Sequence, residues 1–441
     1  MNRLIFLFML LGLVLPAMSV ERFPPPDFQE TGHEVPSDDQ ITSVRPRAAL
    51  MPYVDAAVMA VFLVLSGYFL LKLRSRKMVF VLMLFAMLYF GFYKKGCVCS
   101  VGSIQNITYG FFNSGYAASI PIILFFALPL IAALFFGRIF CGSVCPLGAI
   151  QDFVLLRPIK IPMWLEELLR LIAYIYLASA LLFAATGAAF LICREDPFIA
   201  FYRFSGQFKM VVISICFLIA AMFIGRPYCR FLCPYGILLR NISRFTKWKV
   251  SITPDECINC RLCEDACPFN AIEKPTGKWP GHSSKSARIA LVCSVIALPV
   301  IAMLFGISGR KIGENWAMGH PTVSLASDVR KENNNPGMEI SEASMAFRGR
   351  GGDMEKLFEQ AADIRGRFVF GGLLAGLFVG AVAGGKLIKT CIRFERTEYT
   401  ANPAGCLSCG RCYKYCPREH AGHGKANGSE TLLAGSKSAD G

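Results

Sequence analysis

The chain has 441 residues, 54% of them hydrophobic and only 17% charged, with a formal net charge of +15. That charged share lies below the usual level of about 25%, and the bases flank long apolar runs, which excludes a soluble cytosolic enzyme, a disordered chain and a nucleic-acid binder. Eighteen cysteines, mostly at metal-ligand spacing, exclude a secreted disulfide scaffold.

Met1–Ser19 reads as a signal peptide, with Arg3 ahead of an apolar core from Leu4 to Leu15 and small residues at Ala17 and Ser19. The alternative is an uncleaved anchor helix. Either way, residues 20–50, with Pro24-Pro25-Pro26, are expected to form an irregular extracytoplasmic segment. Seven membrane helices are predicted after it, near Tyr53–Leu71, Met78–Tyr93, Ala117–Gly137, Leu171–Ile192, Met210–Gly225, Ile289–Gly306 and Phe368–Gly385. The basic hairpin Lys72–Lys77 marks a cytoplasmic loop, and the excess of Lys and Arg falls on that same side. Lys94-Lys95 is the discordant pair on the outer side.

The cysteines follow this order of crossings. After the second helix come Cys97 and Cys99, in a stretch Val98–Asn106 that aligns with Val144–Asp152 further on. After the third helix stands Gly137-Arg138-Ile139-Phe140-Cys141-Gly142-Ser143-Val144-Cys145-Pro146-Leu147-Gly148. Cys193 ends the fourth helix. After the fifth, the earlier motif recurs as Gly225-Arg226-Pro227-Tyr228-Cys229-Arg230-Phe231-Leu232-Cys233-Pro234-Tyr235-Gly236.

Both full copies follow a helix and are separated by two crossings, so both are expected at the cytoplasmic edge. Cysteines four apart share a helical face. Cys141, Cys145, Cys229 and Cys233 therefore either converge on a metal or cluster, or belong to a structural turn. The degenerate copy is expected at the opposite edge, where Cys97, Cys99 and Cys193 form an outer redox or metal site or, alternatively, a disulfide. Cys216, Cys293 and Cys391 read as packing residues.

Two further runs carry the strongest signal. Cys257, Cys260, Cys263 and Cys267 precede Pro268, and Cys406, Cys409, Cys412 and Cys416 precede Pro417. This C-x2-C-x2-C-x3-C-P spacing is that of bacterial ferredoxins, in which the fourth cysteine of each run ligates the cluster of the other. Cluster I is accordingly assigned Cys257, Cys260, Cys263 and Cys416, and cluster II Cys267, Cys406, Cys409 and Cys412. The exchange requires both runs in one compartment. The two helices within residues 285–390 return the chain to the same side, and reduced thiolates place that side in the cytoplasm.

The organisation read from these features is a five-helix membrane domain over 51–250 and a ferredoxin half-motif over 251–280. Two helices over 285–390 enclose an extracytoplasmic loop, 307–367. A second half-motif over 391–420 and a disordered tail over 421–441 complete it. The loop, with Asn333–Asn335 and a short helix over Asp353–Ile364, is expected to be a solvated connector or, alternatively, to dock an external partner. The fold class is mainly α: a polytopic helical membrane protein with a small ferredoxin-like α+β module. Of the five histidines, His33, His282, His320, His420 and His423, none lies in a predicted helix, so no bis-histidine haem is expected. No Walker A loop, dinucleotide fingerprint or covalent-flavin site is found; Thr186-Gly187-Ala188-Ala189 lacks the final hydroxyl of the last.

The duplicated G-R-x-[FY]-C-x3-C-P-x-G motif with two ferredoxin runs resembles the NosR/NapH/FixG class of membrane-bound polyferredoxins, over roughly Tyr53–Pro417. The resemblance implies a multi-pass protein of the bacterial cytoplasmic membrane, in contact with lipid and carrying two 4Fe–4S clusters. It also implies electron transfer between those clusters, or quinol, and an extracytoplasmic reductase or flavoprotein, with a role in anaerobic respiration. Such a chain is an electron-carrier subunit rather than a stand-alone enzyme. The FixG-like alternative is a copper reductase or assembly factor for a respiratory enzyme; a redox sensor or scaffold is the third reading. The large flavin-binding domain of NosR-like members and the C-terminal β-sandwich of FixG-like ones have no counterpart in this sequence.

Overall fold

The computed structural model describes residues 50–96, 99–113, 115–204, 208–248, 250–252, 257–276, 284–335, 340–349, 351–391 and 396–417. The signal peptide, nearly all of the 20–50 segment, Cys97 and the 421–441 tail lie outside these residues.

All seven apolar stretches are helical. They are α1 (Met51–Leu71), α2 (Arg76–Ala86, continued by a π-helical end Met87–Tyr93), α4 (Ile120–Phe136), α6 (Met163–Ala185), α9 (Phe208–Phe223), α13 (Ser284–Ala317) and α16 (Met354–Cys391). Five of them reach membrane-spanning length and apolarity: α1, α2 with its π end, α6, the Arg288–Ala317 part of α13, and α16. The other two, α4 with 17 residues and α9 with 16, fall short of the roughly 20 that a bilayer core requires. Ile289, Val292, Ile296 and Val300 on α13 all point outward, each more than half exposed. An apolar stripe of that length is a lipid-facing surface.

Two boundaries differ from the sequence reading for identifiable reasons. The fourth helix begins at Met163 rather than Leu171, because the charges Glu166, Glu167 and Arg170 are not loop residues. Arg170 pairs with both glutamates, and Arg230 sits 2.7 Å from Glu166. It ends at Ala185, where Gly187 adopts φ 72°. The expected outer loop is largely helical. α13 runs on to Ala317, followed by α14 (Pro321–Asn334) and α15 (Glu342–Gly349), and the short helix expected at Asp353–Ile364 is the start of the 38-residue α16. Val323, Ala326 and Val329 of α14 pack against Leu357, Ala361 and Phe368 of α16 to give this region its own core.

α13 and α16 form an antiparallel pair with almost no space between backbones. A Cβ on Gly372 would stand 2.4 Å from the Gly309 carbonyl oxygen, and one on Gly376 would stand 2.1 Å from that of Phe305. Gly380 and Gly384 continue the stripe against Ala302 and Leu298. Small residues every fourth position let helices approach where lipid offers no hydrophobic drive. Gly376→Leu should therefore cost at least the roughly 1–3 kcal/mol of overpacking and lower the melting temperature in detergent. Gly385→Ala should not, since nothing lies within 4 Å of its added carbon. Equal melting of the two variants would refute the close pairing.

The discordant Lys94 is neutralised inside the protein. Its Nζ lies 2.6 Å from Asp55 Oδ1 of α1, which also accepts from the Tyr89 hydroxyl at 2.8 Å.

Short elements complete the bundle: α3 (Ser100–Phe112), a π turn at Phe140–Val144, α5 (Pro146–Phe153), α7 (Leu191–Arg194), α8 (Pro197–Arg203), α10 (Pro227–Phe231) and α11 (Pro234–Ile242). The ferredoxin runs supply α12 (Leu262–Ala266), β1 (Ile272–Glu273), β2 (Thr400–Ala401) and α17 (Arg411–Tyr415).

Candidate functional site

The two ferredoxin runs, 149 residues apart between Cys257 and Cys406, fold into one module. β1 pairs antiparallel with β2 in the register Ile272↔Ala401 and Glu273↔Thr400, and a further bridge joins Thr276 to Arg396. The runs share a backbone conformation. Asn259 and Arg261 in the first, and Ser408 and Gly410 in the second, occupy matching positions, and all four have positive φ. Left-handed residues at these points turn backbone N–H groups inward. Ser408 N, for example, donates to Cys406 Sγ at 3.4 Å.

Cys263, Cys409 and Cys416 are buried, and Cys260 is exposed. Burial, then Cys409 and Cys267 nearby, pushes the Cys406 thiol up to about 12. Burial likewise raises Cys412, with Cys406, Cys409 and Cys267 beside it adding to the shift. Cys267 of the first run thus sits with three cysteines of the second. Burial also pushes Cys263 up to about 11, beside Cys260 and Cys257. Among the described residues no three Cys, His, Asp or Glu side chains close on a point as a single metal ion demands. The donor set of these runs, eight thiols at ferredoxin spacing, is the chemistry that iron–sulfur clusters take.

The repeated membrane motif forms a second cysteine set. Cys145 and Cys233 each stand at the N-cap of a short helix, α5 or α11, with proline in the first turn. Cys141, Cys145, Cys229 and Cys233 are each less than 9% exposed and are electrostatic neighbours. Cys229 Sγ accepts from Gln151 Nε2 at 3.4 Å and Cys233 Sγ from Gly236 N at 3.3 Å. The copies exchange arginines. Arg226, fully buried, donates to the carbonyls of Cys141 and Gly142, while Arg138 lies 3.5 Å from the space beside Gly236.

Each copy also docks one ferredoxin run. A Cβ on Gly142 would stand 2.2 Å from the Leu407 carbonyl oxygen, and one on Gly225 would stand 2.7 Å from that of Pro268. Asp152 fastens this junction. Its carboxylate lies 2.8 Å from Arg76 Nη2, 3.0 Å from Arg411 Nη2 and 3.6 Å from Arg226 Nη2, and Arg76 donates through its other nitrogen to the Cys409 carbonyl at 2.8 Å. Burial acts to raise the Asp152 carboxyl, but the Arg226, Arg411 and Arg76 guanidiniums together hold it well below the usual carboxylate range.

Arg76, Arg138, Gln151, Asp152 and Arg226 were not anticipated as site residues. The available signal was that Arg138 and Arg226 belong to the repeated motif itself, and that Gln151-Asp152 falls in the stretch aligned with Gln105-Asn106 of the degenerate copy.

The degenerate copy is not at the far edge from the others. Cys99 lines the same cavity as Cys145, together with Asp196 and Tyr202, and its charged neighbours are Asp196 and Cys193. Cys216 and Cys293, expected as core filler, are exposed on α9 and α13, and Cys391 is half-buried at the end of α16. Their host helices turn an apolar face outward, so burial in protein is not what a cysteine needs there. His320 caps α14, accepting from Thr322 N at 3.2 Å.

Two sequence families match the chain, both described as a 4Fe-4S binding domain. One matches residues 119–163 and 207–253, the two copies of the membrane motif; the other matches residues 250–273, the first ferredoxin run. The chain is 30% identical over 118 residues to the "Putative electron transport protein YccM" of Escherichia coli, covering 24% of this chain and 33% of that protein. It is 32% identical over 127 residues to "Protein NirI" of Paracoccus denitrificans, covering 28% of this chain and 18% of that protein. An uncharacterized protein of Methanocaldococcus jannaschii is 33% identical over 67 residues, covering 15% and 27%. The chain thus spans a third or less of the length of these relatives. No solved structure matches. These matches bear out the resemblance to membrane polyferredoxins.

Proposed function

We propose that this membrane-bound iron–sulfur protein of the polyferredoxin type conducts electrons between a ferredoxin module on the cytoplasmic face and a partner on the other side of the bacterial inner membrane. Cys257, Cys260, Cys263 and Cys416 would hold one 4Fe–4S cluster, and Cys267, Cys406, Cys409 and Cys412 a second. Cys141, Cys145, Cys229 and Cys233 would hold a third, which the match of that motif to a 4Fe-4S binding domain supports. When bound, such clusters supply one-electron transfer at potentials that burial and hydrogen bonds to sulfur adjust.

The chain's own residues do the rest. Gln151 and the Gly236 amide donate to the inner sulfurs. Arg226, buried between the inner set and Asp152, offsets negative charge where water cannot. Gly142 and Gly225 bring the two cysteine regions into backbone contact.

That contact is the observation that carries the reading: a ferredoxin module resting directly on a buried thiol set supports a route inward over a detached sensor. Electrons supplied in the cytoplasm, or by quinol, would leave toward an extracytoplasmic reductase or flavoprotein.

The test uses the purified protein in sealed liposomes, with a reductant inside and an impermeant acceptor outside. Reduction of the external acceptor, with EPR showing more than two clusters, is the expected result. Clusters that reduce normally but never pass electrons to the outside would overturn it. Stoichiometric copper at the inner four cysteines would instead favour the assembly-factor alternative.

A further inference from the structure

The degenerate copy repeats the inner site in more detail than its cysteines alone disclose. Cys99 caps α3 as Cys145 caps α5, and a glycine follows three residues after each, Gly102 and Gly148. Six residues after each comes a fully buried glutamine, Gln105 or Gln151. Gln151 Oε1 accepts from Tyr228 N at 3.1 Å, the residue before Cys229. Gln105 Oε1 accepts from Ile192 N at 2.9 Å, the residue before Cys193. Cys99 and Cys193 therefore stand to each other as Cys145 and Cys229 do. The Cys193 sulfur lies 3.1 Å from the carbon that an alanine at Gly102 would add.

The correspondence then breaks in an informative way. Gln151 Nε2 donates to the Cys229 sulfur, whereas the buried Gln105 Nε2 has no acceptor among the described residues. A buried amide N–H without an acceptor is costly, so this geometry awaits one. Three residues beyond Cys193 stands Asp196, 4% exposed. Its carboxylate accepts from Phe198 N at 3.0 Å, yet among the described residues no Lys, Arg or His comes within ion-pair distance. Cys99 and Asp196 line one cavity, and with the thiol of Cys193 they offer a cation its ligands, while the unused Gln105 N–H suits a sulfur acceptor bound with that cation.

We infer that Cys99, Cys193 and Asp196 ligate an iron–sulfur centre of their own, with Gln105 as its hydrogen-bond donor. The inference rests on the conduit reading for its role and extends that route past Cys145, with which Cys99 shares a cavity. One electron moves at a time: the inner side is oxidised by one and the outer acceptor reduced by one, with no bond made or broken. Asp196 is the distinguishing ligand, because a carboxylate is a harder donor than thiolate and gives the centre its own spectroscopic signature.

The test compares full-length protein, purified without oxygen, with three variants: Cys99→Ser/Cys193→Ser, Asp196→Asn and Asp196→Cys. Iron, acid-labile sulfide and EPR are measured, and persistence of the ferredoxin signals serves as the check on folding. The double variant should lose one centre's share of iron and sulfide and one EPR signal. Asparagine caps helices as well as aspartate does, so a merely structural Asp196 predicts an unchanged spectrum. The ligand role predicts that the same signal disappears in Asp196→Asn and returns with altered g-values in Asp196→Cys.

Full iron and an intact spectrum in the double variant would overturn the site. An intact spectrum in Asp196→Asn alone would remove Asp196 from it. Liposome transfer, run in parallel, separates this from the conduit: a parent protein that shows the signal but passes no electrons refutes the conduit and leaves the site standing.

Discussion

Asp152→Asn should loosen the ferredoxin module from the membrane domain. The substitution keeps size and shape but leaves Arg76, Arg226 and Arg411 without their shared counter-charge, in a place where Arg226 has no access to water. Removing one partner from a buried ion pair costs about 3–5 kcal/mol, and here three guanidiniums lose theirs at once. Arg411 is the residue before Cys412 and Arg76 holds the Cys409 carbonyl, so the loss falls directly on the second ferredoxin run.

The expected readouts are faster proteolysis between the module and the bundle, a lower melting temperature and a shifted EPR signal. The acid response of the wild type follows from the same contact. The folded-state carboxyl is held below its ordinary value of about 3.9. Its contribution is therefore complete above that value and is lost as pH falls through the folded one. Docking should thus be insensitive to pH between about 5 and 8, and weaken only in strong acid. Unaltered proteolysis and melting of Asp152→Asn would show that the carboxylate is not the fastener.

The second large effect is expected from Cys141→Ser/Cys229→Ser. The pair removes one thiol from each motif copy, and both are buried against the junction, with Cys141 lending its carbonyl to Arg226. Serine is nearly isosteric, and the arginine contact to the backbone survives, so the fold should persist. Transfer across liposomes should fall by more than the roughly 100-fold that even outer-shell changes can cost a metal site. The signals from the ferredoxin module should stay, because none of its eight cysteines is touched. Transfer at the parental rate would show that the inner thiols are structural and that electrons take another way.

How much of this was legible beforehand follows from what kind of information each feature carries. The ferredoxin cysteines announce themselves because ligand spacing is local, and the return of the chain to one side follows from counting apolar runs. Asp152 and its arginines could not be read this way, since Arg76 and Arg411 are joined only by the fold. Charge-free length also proved a poor ruler for helix ends. Glu166, Glu167 and Arg170 interrupt the apolar run but lie within α6, paired with one another and with Arg230, and Arg310, Lys311 and Glu314 end an apolar run that α13 simply continues. The four-residue spacing of Gly372, Gly376, Gly380 and Gly384 was visible in the sequence. It carried no meaning until Gly309 and Gly313 appeared opposite. The degenerate copy is visible as a repeat, but the cavity that Cys99 shares with Cys145 is a tertiary fact that a count of apolar runs does not carry.

The strands that close the ferredoxin module, Ile272–Glu273 and Thr400–Ala401, lie on either side of the glycine-paired hairpin. A ribosome therefore releases the first half of the cradle well before the second exists. Until α16 has turned back through the lipid, Cys267 waits without the three thiols it will join. With the clusters held as proposed, their receptacle is complete only once this hairpin has formed.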